Sequence, residues 1–135
     1  MNAVSEFMHK ELPVYSFETE QDFYDWISKN HEKQKGFWMR YYKKKTNIPG
    51  IQVGEAVDVA LCFGWIDGLL NTYDDESYLV RFTPRRPKSV WSQINVGKVE
   101  KLIAEGRMQP SGLSHVESAK SDGRWAAAYS SKKSK

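Results

Sequence analysis

The sequence predicts an α+β fold: a small, mainly antiparallel sheet packed with helices, in the order β-α-β-α-β-β-α-α. Three observations carry that expectation. The apolar residues Val53, Ala56, Val57, Ala60 and Leu61 recur at i, i+3, i+4, i+7 and i+8, which is one face of a helix. The run Phe37-Trp38-Met39-Arg40-Tyr41-Tyr42 is aromatic and strand-like. Trp65 to Tyr73 and Tyr78 to Phe82 form two further strand candidates, joined as a hairpin by the acidic turn Asp74-Asp75-Glu76.

The remaining elements follow in chain order. Residues 1–12 read as a frayed leader and 130–135 as a Ser/Lys tail, so one domain over 13–129 with flexible termini is expected. Pro13 to Phe17 is a short strand. Thr19 is placed to cap a helix, with Asp22 three residues on and Phe23, Trp26 and Ile27 at helical spacing, and that helix runs to about His31. After Gly36 comes the aromatic strand, ended by Lys43-Lys44-Lys45 and a turn holding Asn47, Pro49 and Gly50. The amphipathic helix then begins near Gln52 and is stopped by Gly64. Beyond the hairpin, Thr83-Pro84-Arg85-Arg86-Pro87 reads as a rigid, exposed, basic loop, because both prolines lack a donor and bias the residue before them away from helix. Ser89 is expected to cap a helix through Trp91, Ile94, Val99, Leu102 and Ile103 to Gly106. Ser111 or Ser114 starts the last helix towards Trp125.

Composition bounds the class of protein. Hydrophobic residues make up 40% and charged residues 27% of the 135, while 13% are aromatic, so large rings should dominate the core and any pocket. The single cysteine, Cys62, excludes an intrachain disulfide and makes a reducing compartment the simpler expectation. No run approaches the roughly 18 apolar residues of a membrane helix, and the first residues lack the apolar stretch of a secretory signal, so the expected location is the cytoplasm without membrane insertion. The net charge of +3 comes from Lys132, Lys133 and Lys135 alone. The rest is neutral but blocked. Lys33 to Lys45 holds six basic and no acidic residues, Thr46 to Val80 six acidic and no basic, and Arg81 to Arg107 seven basic against two acidic. Mutual pairing across the fold accounts for such blocks without any ligand.

Two constellations stand out. Gly64-Trp65-Ile66-Asp67-Gly68 takes a helix end straight into a strand, where alternation puts Trp65 and Asp67 on one face and Ile66 on the other. A carboxylate beside an indole has its pKa raised by desolvation, which suits general acid or base work. The plainer reading makes Ile66 core and has Asp67 cap a turn or pair with an arginine. In the second constellation Arg85, Arg86, Lys88 and Ser89 converge before a helix start at Trp91, where amides and the helix dipole favour anions. Prolines 84 and 87 would restrict the arginines, lowering the entropy lost on binding. Here the plainer reading pairs the arginines with Asp67, Glu55, Asp58 or the 74–76 turn. Cys62, in the last turn of a helix, reads as packed rather than nucleophilic. Glu55 and Asp58 read as solvent-facing. His31, Cys62 and His115 are too scattered to form a metal site by spacing. No Walker A loop, dinucleotide-binding glycine loop, HExxH or GxSxG is present, so no cofactor and no catalytic motif is implied.

The stretches Ala60-Leu61-Cys62-Phe63-Gly64-Trp65-Ile66-Asp67-Gly68 and Arg81-Phe82-Thr83-Pro84-Arg85-Arg86-Pro87-Lys88-Ser89-Val90-Trp91-Ser92-Gln93-Ile94-Asn95 resemble the bacterial YdeI/OmpD-associated (bacteriocin-protection) family. The likeness continues through Gly106-Arg107-Met108 to Gly123-Arg124-Trp125. That family is loosely grouped with YjbR/CyaY-like and DUF1801 proteins. The resemblance implies a small cytoplasmic α+β domain linked to envelope stress or bacteriocin tolerance, with no particular chemistry or cofactor. Together these readings favour a small-ligand or anion-binding domain in which Arg85, Arg86, Lys88 and Ser89 hold an anionic small molecule while Trp65, Asp67 and Trp91 shape the pocket. The alternatives are a hydrolase or transferase using Asp67 as acid or base, and a nucleic-acid or protein interaction module using the aromatic strand and its three lysines.

Overall fold

The computed structural model describes residues 8–130, so residues 1–7 of the expected leader and 131–135 of the expected tail lie outside the described residues. The elements are β1 (Met8–His9), β2 (Leu12–Tyr15), α1 (Glu20–Asn30), β3 (Phe37–Tyr42), a 3₁₀ turn (Lys44–Thr46), α2 (Val53–Cys62), β4 (Trp65–Thr72), β5 (Ser77–Pro84), α3 (Gln93–Ala104) and α4 (Pro110–Ser121). The strands form one sheet in the order β1-β2-β3-β5-β4. Only β2 and β3 are parallel, joined through α1; every other pair is antiparallel. The fold is therefore α+β with a mainly antiparallel sheet.

Local chemistry explains most boundaries. Thr19 accepts from the Asp22 amide at 3.1 Å and starts α1. A capping box between Gln52 and Glu55 starts α2, so Glu55 is a helix cap rather than a free surface acid. Gly64 follows the end of α2 with φ +79°, a left-handed geometry that side chains resist. Six of the ten α2 residues are buried, among them Val57 and Leu61. The helix packs on α1, α3, α4 and β4, which makes it the hub of the helical layer. Val53, assigned to the same apolar stripe, is 47% exposed. At the other end α4 comes so close that a Cβ on Gly112 would run into the carbonyl oxygens of Leu61 and Cys62.

The sheet has two unequal faces. Phe37, Met39, Tyr41, Val80 and Phe82 join Phe17, Phe23, Ile27 and the α2 residues in the main core. The opposite face carries a small cluster of Val14, Trp38 and Leu79, with Leu12 and Tyr73 packed against it. The strand that resembled a base-stacking platform is thus a core strand, and only Lys43, Lys44 and Lys45 at its end are exposed.

Four expectations are corrected. Residues 8–12 are not a frayed leader, since β1 folds back on β2. Thr83 and Pro84 are not loop: they finish β5, opposite Ile66 and Trp65, where a terminal position tolerates the missing proline donor. The third helix begins at Gln93, capped by Ser92, whose hydroxyl accepts from the Asn95 amide at 3.1 Å, and not at Ser89. The last helix begins at Pro110, which suits the first helical position, rather than at Ser111 or Ser114.

Candidate anion site

The site grows out of the junction that Gly64 makes. Its carbonyl accepts from the Arg85 amide at 2.8 Å, which ties the end of β5 to the start of β4. A Cβ on Gly64 would lie 2.9 Å from the His115 ring, so α4 packs directly on this backbone. Two hydrogen bonds strap α4 there: the Gln109 amide donates to Cys62 O at 3.0 Å and Ser111 Oγ to Phe63 O at 3.0 Å.

Arg85 turns inward at this point and is only 7% exposed. Its guanidinium carbon lies 3.8 Å from the centre of the Trp91 ring, and Nη2 donates to Val90 O at 2.9 Å. Arg85 Nε, Ser89 Oγ and Trp91 Nε1 are all buried without a hydrogen-bond partner among the described residues. Arg124, beyond α4, approaches from the other side: Nη1 donates to Ser89 O at 2.6 Å, Nε to both Asp122 oxygens at 2.9 and 2.8 Å, and Nη2 to Ser118 Oγ at 3.1 Å. Trp91 packs edge-on against Trp125, and its carbonyl accepts from the Tyr129 amide.

The electrostatics of this corner are one-sided. Burial pushes the Arg85 guanidinium down to about 10, and the nearby Arg124 adds to the effect. Burial also lowers His115, again with help from Arg85 and Arg124. Among the described residues no carboxylate answers Arg85. Asp58 pairs with Lys98 at 2.9 Å, Asp74 with Arg40 at 3.0 Å, Glu20 with Arg107 at 2.8 Å and Asp122 with Arg124. Of the acids expected to neutralise the arginines, Asp58 and Asp74 are thus engaged elsewhere and Glu55 caps α2, while Asp67, Asp75 and Glu76 enter no ion pair among the described residues, with Arg85 or with any other cation. Asp58, read as solvent-facing, is an ion-pair partner of α3.

The expected site residues separate into three groups. Arg85, Ser89 and Trp91 come together as described. Arg86 and Lys88 lie exposed on the rim of the same turn. Trp65 and Asp67 do share a face, but it is the helix-covered face of the sheet. Trp65 is a core residue whose Nε1 donates to His31 O at 3.3 Å, so it walls no pocket. Asp67 is half-buried, its carboxyl raised by burial, and its charge bears on buried Tyr41. The helix-dipole argument also lapses, because the Gln93 amide at the true helix start donates to Tyr129 O. Two contributors were missed, His115 and Arg124. No spacing could have joined them to Arg85, since they arrive from α4 and the segment after it. Cys62 is buried with its thiol pushed up to about 11, chiefly by burial. A broad open groove of about 700 Å³ lies elsewhere, between Arg40–Lys44 and Asn47–Val53; none of the expected site residues lines it.

A family model described as a domain of unknown function (DUF8412) matches residues 15–115, and the chain belongs to that family. No curated protein and no solved structure matches the chain.

Proposed function

We propose that this chain binds a small anionic ligand through Arg85, with Ser89, Trp91, Arg124 and His115 around it and Arg86 and Lys88 at the rim. One observation carries the reading: a buried guanidinium with no carboxylate partner, beside two further buried donors without partners. Burying an unpaired charge is costly, and an anion that accepts from several of these groups offsets the cost. Arg124 is already neutralised by Asp122, so Arg85 supplies the unanswered charge. A cytoplasmic role in bacterial stress or bacteriocin tolerance rests on the motif resemblance alone.

Thermal unfolding in phosphate, sulfate and chloride at matched ionic strength tests the reading. Phosphate and sulfate should raise the melting temperature with concentration, since a ligand of the native state stabilises by RT ln(1 + [L]/Kd). Chloride should not, because it screens charge without accepting a bidentate pair of hydrogen bonds. Arg85→Met should abolish the shift while leaving the anion-free protein as stable as before or more so. Equal stabilisation by chloride, or an Arg85→Met protein that unfolds without ligand, makes Arg85 a structural staple and ends the proposal.

A further inference from the structure

The groove between Arg40–Lys44 and Asn47–Val53 is walled by a short, well-fastened loop. Thr46 Oγ1 donates to Lys43 O at 2.8 Å and accepts from the Ile48 amide at 3.1 Å, and Asn47 takes up φ 57°. Further on, the Ile51 amide donates to Phe17 O at 2.9 Å and pins the loop to the core. A second hollow of about 380 Å³ shares Ile48 and Pro49 with the groove, so these two residues stand as a wall between two open spaces. The groove itself, at about 700 Å³, has the size of a small-molecule site.

Three features of its lining are left unused by the fold. Tyr41 is only 5% exposed, yet its hydroxyl has no hydrogen-bond partner among the described residues. Burial, with Asp67 and Tyr78 nearby, raises this phenol above its ordinary 10, so it keeps its proton and can donate. Lys43 and Lys44 are exposed and enter no ion pair among the described residues, although the Lys43 amide donates to Glu76 O. Arg40, by contrast, is already answered by Asp74. Glu18, the one acid that lines the groove, is unpaired as well, which leaves two free cations there against one free acid. The third feature is apolar: Ile48 and Val53 are 39% and 47% exposed, and the Tyr78 ring lies 5.5 Å from that of Tyr41. An inorganic anion would leave the apolar wall and the buried hydroxyl unused. A plain hydrocarbon ring would leave the hydroxyl and the lysines unused.

We infer that this groove binds a hydroxy-aromatic carboxylate: a ring against the apolar wall, an oxygen that accepts from Tyr41, and a carboxylate that meets Lys43 and Lys44. The inference does not depend on the anion reading, because no residue of that site lines the groove. Titration calorimetry on the full chain with 6-hydroxy-2-naphthoate tests it. Binding should weaken about fivefold, the worth of one hydrogen bond, for 2-naphthoate, which lacks the hydroxyl, and at least as much for 2-naphthol, which lacks the carboxylate. Tyr41→Phe should be as stable as the unaltered chain, since its hydroxyl gives up no bond, and should bind 6-hydroxy-2-naphthoate and 2-naphthoate alike. Lys43→Gln with Lys44→Gln, both at exposed positions, should fold normally and no longer favour 6-hydroxy-2-naphthoate over 2-naphthol. Arg85→Met should bind all three compounds as the unaltered chain does, which keeps the fate of this proposal separate from that of the anion site. No binding of 6-hydroxy-2-naphthoate up to millimolar concentration overturns the inference, as does equal affinity for the three compounds. A destabilised Tyr41→Phe overturns it too, by showing the hydroxyl already satisfied, and a preference that survives in either variant places the ligand elsewhere.

Discussion

The two ends of the β4–β5 hairpin each hold an arginine, and they treat it in opposite ways. At the turn, Arg40 donates from Nε to Ser77 Oγ at 2.9 Å and from Nη2 to Asp74 at 3.0 Å, while Ser77 donates in turn to Asp74 at 2.8 Å. Its guanidinium lies over Tyr42 and Tyr73. The Ser77 hydroxyl, by donating to it, helps hold the Asp74 carboxyl below the usual carboxylate range, so this end favours the charges it carries. At the other end Arg85 has one carbonyl, one indole face and no carboxylate, and burial pushes its guanidinium down. That end disfavours its own charge. The first arrangement is complete without a ligand; the second gains from one of opposite sign.

The largest expected effect tests the backbone on which the second end is built. Gly64→Ala must take up φ +79° and bring a methyl group against His115, so it should cost about 3 kcal/mol, read by urea unfolding. A loss of only a few tenths would show that α4 is not packed on Gly64 as described.

A matched pair of serines sharpens the contrast at smaller scale. Both hydroxyls are buried, but Ser77 Oγ accepts from Arg40 and donates to Asp74, whereas Ser89 Oγ has no partner. Ser77→Ala should cost about 2 kcal/mol, because Arg40 and Asp74 each lose a bond. Ser89→Ala should change stability by less than about 0.5 kcal/mol without anion, since the hydroxyl gives up nothing. Equal costs would mean that the two ends are satisfied alike.

How much of this was legible in the sequence follows from the reach of each interaction. The stripe of α2, the bounds of β3 and the cap at Thr19 come from contacts within a few residues, and all are readable. Alternation correctly paired Trp65 with Asp67, but a period of two does not say which face of a sheet the helices cover, and here they cover that one. Ser89 and Ser92 offer equal local credentials as caps. What favours Ser92 is the bridge from Tyr129, whose strand-like segment pairs with it and fixes Trp91 inward. Arg85 was readable as unusual, yet its want of a counter-ion became visible only once Asp58, Asp74 and Asp122 had been placed with other partners.

The smallest expected effect concerns His115, and it asks whether the second end responds to an anion as an unanswered cluster should. Burial, Arg85 and Arg124 together lower this imidazole from its ordinary 6.5. The unfolded chain therefore binds a proton more readily than the native protein, and His115 makes stability fall as pH drops below about 6.5 and recover as pH rises through it. Asp67, raised by burial, contributes with the opposite sign, costing stability as pH rises above its ordinary 3.8. Its contribution is the same in either salt, so the sulfate-minus-chloride difference in melting temperature isolates the cluster. Sulfate keeps its full charge across this window, and beside Arg85 it offsets the repulsion felt by protonated His115, moving its pKa back up. By linkage, sulfate must then bind more tightly as pH falls, and its stabilising increment should grow between about pH 8 and pH 5.5. His115→Gln should keep an increment but flatten its pH dependence. An increment that is independent of pH, or that keeps the same slope in His115→Gln, would place the bound anion away from His115 and Arg85.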